Sequence, residues 1–361
     1  MGLQESRALS VDSAGNYEGR PSVARSSVSR KTNAFSISKQ AYDIRYGGNI
    51  KICRRSQNTR DYVQIKRTSD SQLALERELR ALNRRIFSPH PNQLRIDCYT
   101  QYDTHTCCSV EWHVNIYVEY LDRDLEQEIA ERRLKGSLFM EHELIYLIEN
   151  LSMGLNQFEK SQHAHGDIRP SNILIDSFGV YKYIDHELID LELKASLEKT
   201  QTRLFAPEVL TAKPGEKPKE PLISDIFSLG MTMLQAATLE PSCELYDYTK
   251  REINRNLLEE RLNKVRDNYS LSVYLLISSA LTWDPKERPR VDNICDQLSE
   301  LGDSLVGRGA AQSFVLDRVH AKQGASTNNL SIERGDGFNS ARERTPEKEE
   351  AKVVLTRSFV V

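Results

Sequence analysis

The sequence predicts an α+β fold in two unequal parts, and three observations carry that prediction. Residues 39–120 read as strands with a single helix among them. Residues 121–302 read as helices, with apolar residues returning every three or four positions. Within that helical part, the polar loop His165–Asn172 (H-G-D-I-R-P-S-N) runs straight into the apolar segment Ile173, Leu174, Ile175. Strands gathered at one end and helices at the other give an α+β fold.

The flanks differ in composition. Residues 1–38 and 303–361 are rich in Ser, Arg, Gly, Glu and Asn and lack apolar periodicity, so both are expected to be disordered tails. The chain starts Met1-Gly2-Leu3-Gln4-Glu5-Ser6, which fits the N-myristoylation pattern at Gly2. Residues 1–39 carry six basic and three acidic side chains, a second signal for contact with an anionic membrane surface. Peripheral membrane contact through an acylated Gly2 is therefore an expectation.

At 361 residues the chain suffices for one two-lobed domain or two small ones. Its charged fraction is 28% and its formal net charge only −3, which gives no argument for a nucleic-acid partner. No segment reaches the roughly eighteen apolar residues of a spanning helix, and the N-terminus lacks an apolar signal core. The six cysteines (53, 98, 107, 108, 243, 295) form no C-x-x-C pair and no short disulfide framework. Reduced thiols and a cytoplasmic location are expected.

Taken in order, Ala41–Cys53 supplies the first strands and Asp61–Arg67 alternates as the next. In Ser69–Phe87, the positions Leu75, Leu79, Leu82 and Ile86 define one apolar helix face, with Glu78 close to it. Tyr117–Leu121 is an apolar strand at the junction of the two parts. Glu141–Lys160 carries Leu144, Leu147, Ile148, Leu151, Leu155 and Phe158 on one face. Helices are also expected over Asp225–Leu239, Leu257–Val265 and Ser270–Leu281.

Six ordered motifs stand out. They are Val63-Gln64-Ile65-Lys66, His90-Pro91-Asn92, the loop His165–Asn172, Asp185 thirteen residues after Asn172, Ala206-Pro207-Glu208, and Trp283-Asp284-Pro285 followed by Arg288-Pro289. Asp225 with Gly230 five residues later adds a D-x-x-x-x-G helix start. Together they resemble the eukaryotic protein kinase superfamily, from V-A-I-K and H-P-N through H-R-D-x-K-x-x-N to A-P-E. The resemblance covers residues 39 to about 302. It implies a small antiparallel sheet lobe with one helix (39–120) and a larger, mainly helical lobe (121–302).

The resemblance also implies roles. Asp167 would orient a substrate hydroxyl and accept its proton, and Arg169 would neutralise charge on the γ-phosphate. Lys66, fixed by Glu78 (or else Glu76), would hold the α- and β-phosphates. Asn172 and Asp185 would bind Mg2+ through hard oxygen atoms. Gly48 and Ile50 would stand for the last Gly and the following Val of the glycine loop over the nucleotide. Val118 would sit at the back of the pocket, and Glu119 and Leu121 would belong to the hinge strand whose backbone reads adenine. The partners implied are ATP and protein substrates, and a cation two residues after Asp167 favours Ser/Thr acceptors.

Three departures go with these matches. Gly166 replaces the Arg that normally docks a phosphorylated activation loop, although Ser196, Thr200 and Thr202 remain available there. D-F-G reads Asp185-His186-Glu187, with a negative side chain where Gly is usual. The Gly-rich loop shrinks to Tyr46-Gly47-Gly48-Asn49-Ile50. The leading expectation is a divergent Ser/Thr protein kinase. The alternative is a pseudokinase that scaffolds or regulates a partner with little or no turnover.

Overall fold

The computed structural model describes residues 35–55, 60–105, 110–184, 202–213 and 219–304. Gly2, Asp185, His186, Glu187, Ser196 and Thr200 lie outside the described residues.

Five strands build the small lobe: β1 (Phe35–Asp43), β2 (Gly48–Arg55), β3 (Asp61–Ser69), β4 (Ile96–His105) and β5 (Val110–Glu119). They form one sheet in the order β1-β2-β3-β5-β4, with every neighbouring pair antiparallel. The first strand begins four residues before the expected domain start at 39. Phe35 accounts for this: its ring stacks on Tyr117 at 4.0 Å and meets Tyr62 edge-on at 5.3 Å. An aromatic pair of this kind adds stability beyond area burial.

Helix α1 (Gln72–Phe87) starts at Ser71, whose side chain caps the Ala74 N–H. It buries Leu75 and Leu82 against the inner face of the sheet, with Leu79 and Ile86 partly covered. That face also holds Ile52, Val63, Val114, Ile116 and Val118. Directly paired residues of an antiparallel sheet share a face, and the register Ile52↔Val63↔Val118 obeys this.

The turn after α1 joins the lobes. Asn92 is 3% exposed and donates to Asn150 Oδ1 at 2.7 Å and to the Tyr181 carbonyl at 3.0 Å. It also accepts the Tyr183 N–H at 2.9 Å, so the turn is pinned to a strand of the large lobe.

In the large lobe, β6 (Arg123–Asp124), β7 (Ile173–Ile175) and β8 (Tyr181–Tyr183) form a small antiparallel sheet. Around it lie α2 (Leu125–Lys135), α3 (Glu141–Lys160), α4 (Pro207–Leu210), α5 (Pro221–Thr238), α6 (Arg255–Asn268), α7 (Leu271–Ala280) and α8 (Val291–Ser304). A short hairpin of β9 (Tyr246–Asp247) and β10 (Glu252–Ile253) follows α5. Helix α3 buries the apolar face read from its sequence and packs on α8, α5 and β8. Among the described residues, no helix is long and apolar enough to cross a membrane.

Candidate active site

The catalytic loop is held by a buried carboxylate from the helix beneath it. Asp225 in α5 accepts the His165 N–H at 2.6 Å and the Gly166 N–H at 2.8 Å. Burial pushes its pKa up to about 7; the two N–H bonds pull it down and the Asp167 charge pushes it up. Gly166 has φ +75°, a left-handed angle that costs glycine little. The space where its Cβ would sit is open, so backbone angle rather than crowding suits glycine here.

Three of the expected catalytic groups are brought together. Arg169 Nη2 lies 3.3 Å from Asp167 Oδ2, and both side chains are buried. Asn172 Nδ2 donates to the Asp167 carbonyl at 2.7 Å; of the two side-chain amide atoms, the oxygen is the one able to coordinate a cation. Burial lowers the Arg169 pKa; Asp167 opposes that and Arg203 reinforces it. Ile184, the residue before Asp185, is tied to the same loop twice. Its N–H donates to the Asn172 carbonyl at 3.0 Å, and its carbonyl pairs with His165 Nε2 at 2.8 Å. A carboxylate next in sequence and an amide oxygen are a donor set that suits Mg2+.

The segment that ends at A-P-E approaches the same aspartate. Thr202 Oγ1 accepts from Arg169, and Arg203 Nε lies 3.9 Å from Asp167 Oδ1. Hydroxyls hold three successive carbonyls here: Tyr248 takes Arg203, Ser228 takes Leu204 and Tyr246 takes Phe205. Below it, the Arg288 side chain is fully buried and bonds Glu208 through both forks, at 2.9 and 3.2 Å. Burial raises the Glu208 pKa, but the Arg288 contacts outweigh this and leave it lowered.

Lys66 is not in the cleft. It is exposed, on the outer face of β3 with Tyr62 and Gln64, opposite Asn115. The inner face takes Val63, Ile65 and Arg67, paired with Val118, Ile116 and Val114. The expected Lys66–Glu78 pair is replaced by Arg67–Glu78 at 3.9 Å. The reason is the two-residue period of a strand: with Val63 buried and Ile65 packed against the same core, position 66 must face outward. Glu78 is the inward carboxylate of α1, whereas Glu76 is exposed and bonded to Gln72.

The residues read as a hinge lie together at the end of β5, and their polar groups are engaged. Ile50 and Val118 are buried in one cluster with Val63, Leu174 and Ile184. Tyr46, 5% exposed, belongs to that cluster too. Its hydroxyl donates to the Glu119 carbonyl at 3.2 Å and accepts the Leu121 N–H at 3.0 Å. The Glu119 carboxylate bonds Lys182 Nζ at 2.8 Å and the Arg95 N–H at 2.8 Å, which braces the hinge from behind. Gly48 opens β2 at φ +106°, after Gly47 at +89°. These glycines turn the chain out of a single 3-10 turn, Ile44–Tyr46, which leads into the shortened glycine loop read from the sequence.

A five-stranded sheet over a helical lobe, with an ordered Asp–Arg–Asn loop beneath it, defines a protein kinase domain. The sequence profile described as "Protein kinase domain" matches residues 48–298, and the chain belongs to the protein kinase family. It is 30% identical to Wee1-like protein kinase 2 of Danio rerio over 205 residues, covering 51% of this chain and 37% of the relative. It is 27% identical to the membrane-associated tyrosine- and threonine-specific cdc2-inhibitory kinase wee-1.3 of Caenorhabditis briggsae over 185 residues (48% and 26%). Against human serine/threonine-protein kinase Nek5 the identity is 24% over 180 residues (50% and 25%). The chain thus spans well under half the length of these relatives.

Tyr46 and Arg67 escaped the sequence reading. For Arg67 a signal existed, since V-x-I-x-R alternates with the apolar residues. For Tyr46 the only signal was an aromatic residue in a loop that resembled a phosphate cradle.

Proposed function

We propose that the chain transfers the γ-phosphoryl group of ATP to Ser or Thr hydroxyls of protein substrates, with Mg2+ as cofactor. The observation that supports this best is the buried Asp167–Arg169 pair, with Asn172 locked to the Asp167 carbonyl. Asp167 orients the acceptor hydroxyl and takes its proton, and Arg169 sets positive charge beside it. Asn172 and Asp185 would hold Mg2+, which neutralises charge on the phosphates. Arg67, positioned by Glu78, takes the phosphate-facing role expected of Lys66; its fork suits phosphate oxygens.

The test is transfer of radiolabelled phosphate from Mg-ATP to basic protein substrates by the full chain, with Asp167→Asn alongside, followed by phosphoamino-acid analysis. Label on Ser or Thr that vanishes in the variant is expected. Label on Tyr would overturn the acceptor class, and equal label in the variant would overturn the catalytic assignment. One observation favours a second reading, a binding module without turnover: the hinge groups are already satisfied by Tyr46. We further propose a cytoplasmic protein held at membranes by an acylated Gly2. An unmodified N-terminal peptide from cell-derived protein, read by mass, would sink that.

A further inference from the structure

We propose that Tyr46 is a built-in occupant of the adenine position, so that nucleotide enters this kinase only by displacing it. The proposal rests on the nucleotide-site reading given above and adds how that site is regulated. Adenine would meet the hinge with one donor and one acceptor on neighbouring atoms. A phenol hydroxyl carries both functions on one oxygen, and Tyr46 uses both, on Glu119 and Leu121. The ring lies against the hinge, 5.6 Å from that of Tyr120, in the cluster that includes Ile50, Val63, Val118, Leu174 and Ile184. Burial raises the Tyr46 pKa above its ordinary value, so its hydroxyl keeps its proton well into alkaline pH.

The neighbouring residue fastens this occupant across the cleft. Arg45 is 9% exposed and bonds Asp43 at 2.6 Å, Asp124 Oδ2 at 3.2 Å and the Asp122 carbonyl at 3.1 Å. Asp43 belongs to the small lobe, whereas Asp124 caps helix α2 of the large lobe. Arg45 is thus a bolt between lobes, and Tyr46 is the part it holds in place. A closed form that must open before binding weakens apparent affinity by the fraction that is open.

Binding of a fluorescent ATP analogue, competed by ATP and by adenosine, tests this on the full chain in three variants. Tyr46→Ala is expected to tighten binding by about tenfold or more, since it removes the ring and both hydrogen bonds. Tyr46→Phe keeps the ring and the fold and removes only the hydroxyl; it is expected to tighten binding several-fold. Arg45→Gln keeps the Tyr46 side chain and its two hinge partners, loosens only the link between the lobes, and is expected to move in the same direction. Wild type and all variants binding equally would overturn the plug while leaving the nucleotide site intact. No binding in any variant that unfolds cooperatively would overturn both. Tighter binding of ATP without adenosine would place the effect at the phosphates and overturn the adenine assignment.

Discussion

Exchanging the two neighbouring cations of β3 separates the motif from the geometry. Lys66→Met removes a charge that is exposed on the outer face of the sheet; Arg67→Met removes one that faces α1. The Arg67–Glu78 separation is 3.9 Å, with side chains 31% and 32% exposed. Coulomb attraction at that distance is about 4 kcal/mol for an effective dielectric near 20. Solvent screening and the entropy of holding two long side chains reduce the net contribution to about 0.5–1 kcal/mol. Arg67→Met should therefore lower the melting temperature by only about 1–4 °C. Losing a cation aimed at developing phosphate charge should cost turnover about a hundredfold, equivalent to about 2.7 kcal/mol. Lys66→Met should stay within about 0.5 kcal/mol in stability and close to wild type in turnover. Phosphate transfer at saturating substrate, with urea unfolding of the same preparations, measures both. Loss of transfer in Lys66→Met but not in Arg67→Met would refute the assignment.

Three further outcomes follow from the packing. Glu208→Gln breaks the charge contact with buried Arg288 and should destabilise by about 1–3 kcal/mol at pH 7 by urea unfolding. The wild-type carboxyl pKa is lowered by folding, so its contribution is full above about pH 4.5 and is lost as pH falls through the folded value. The gap to the Gln variant should therefore narrow in acid, and a constant gap from pH 7 to 3 would count against it. Gly154→Ala would gain about 1 kcal/mol of helix propensity. However, its Cβ would lie 2.8 Å from the fully buried Tyr183 ring and 3.1 Å from the Asn92 Cβ. Overpacking of about 1–3 kcal/mol should dominate, and a variant that melts higher than wild type would show that it does not. Asp225→Asn should cost about 1–3 kcal/mol and most of the transfer, because one of two backbone N–H groups would face an amide NH2. Native unfolding midpoints and full turnover in that variant would refute the anchoring role.

What the sequence made legible was set by local periodicity. The face of α3, from Leu144 to Phe158, is a helix-period pattern long enough to fix both element and orientation, and the helix spans the residues read. The loop His165–Asn172 is compact: Asp167, Arg169 and Asn172 meet within six residues, so motif spacing and geometry coincide. β3 is the opposite case. Motif alignment selects Lys66, whereas strand alternation selects Arg67, and the packing of buried Val63 and partly buried Ile65 decides for alternation because slipping the register would turn both outward. Tyr46 was not legible at all, since its partners lie 73 and 75 residues away across the fold. The glycines missing from that loop point, from sequence alone, only to a weaker grip on nucleotide. The contact that forms has a different consequence. A residue with one donor and one acceptor, placed where the hinge exposes one of each, turns a loop that covers nucleotide into one that competes with it. Affinity in this cleft is then set by the stability of the Arg45–Asp124 bolt as much as by contacts to ATP.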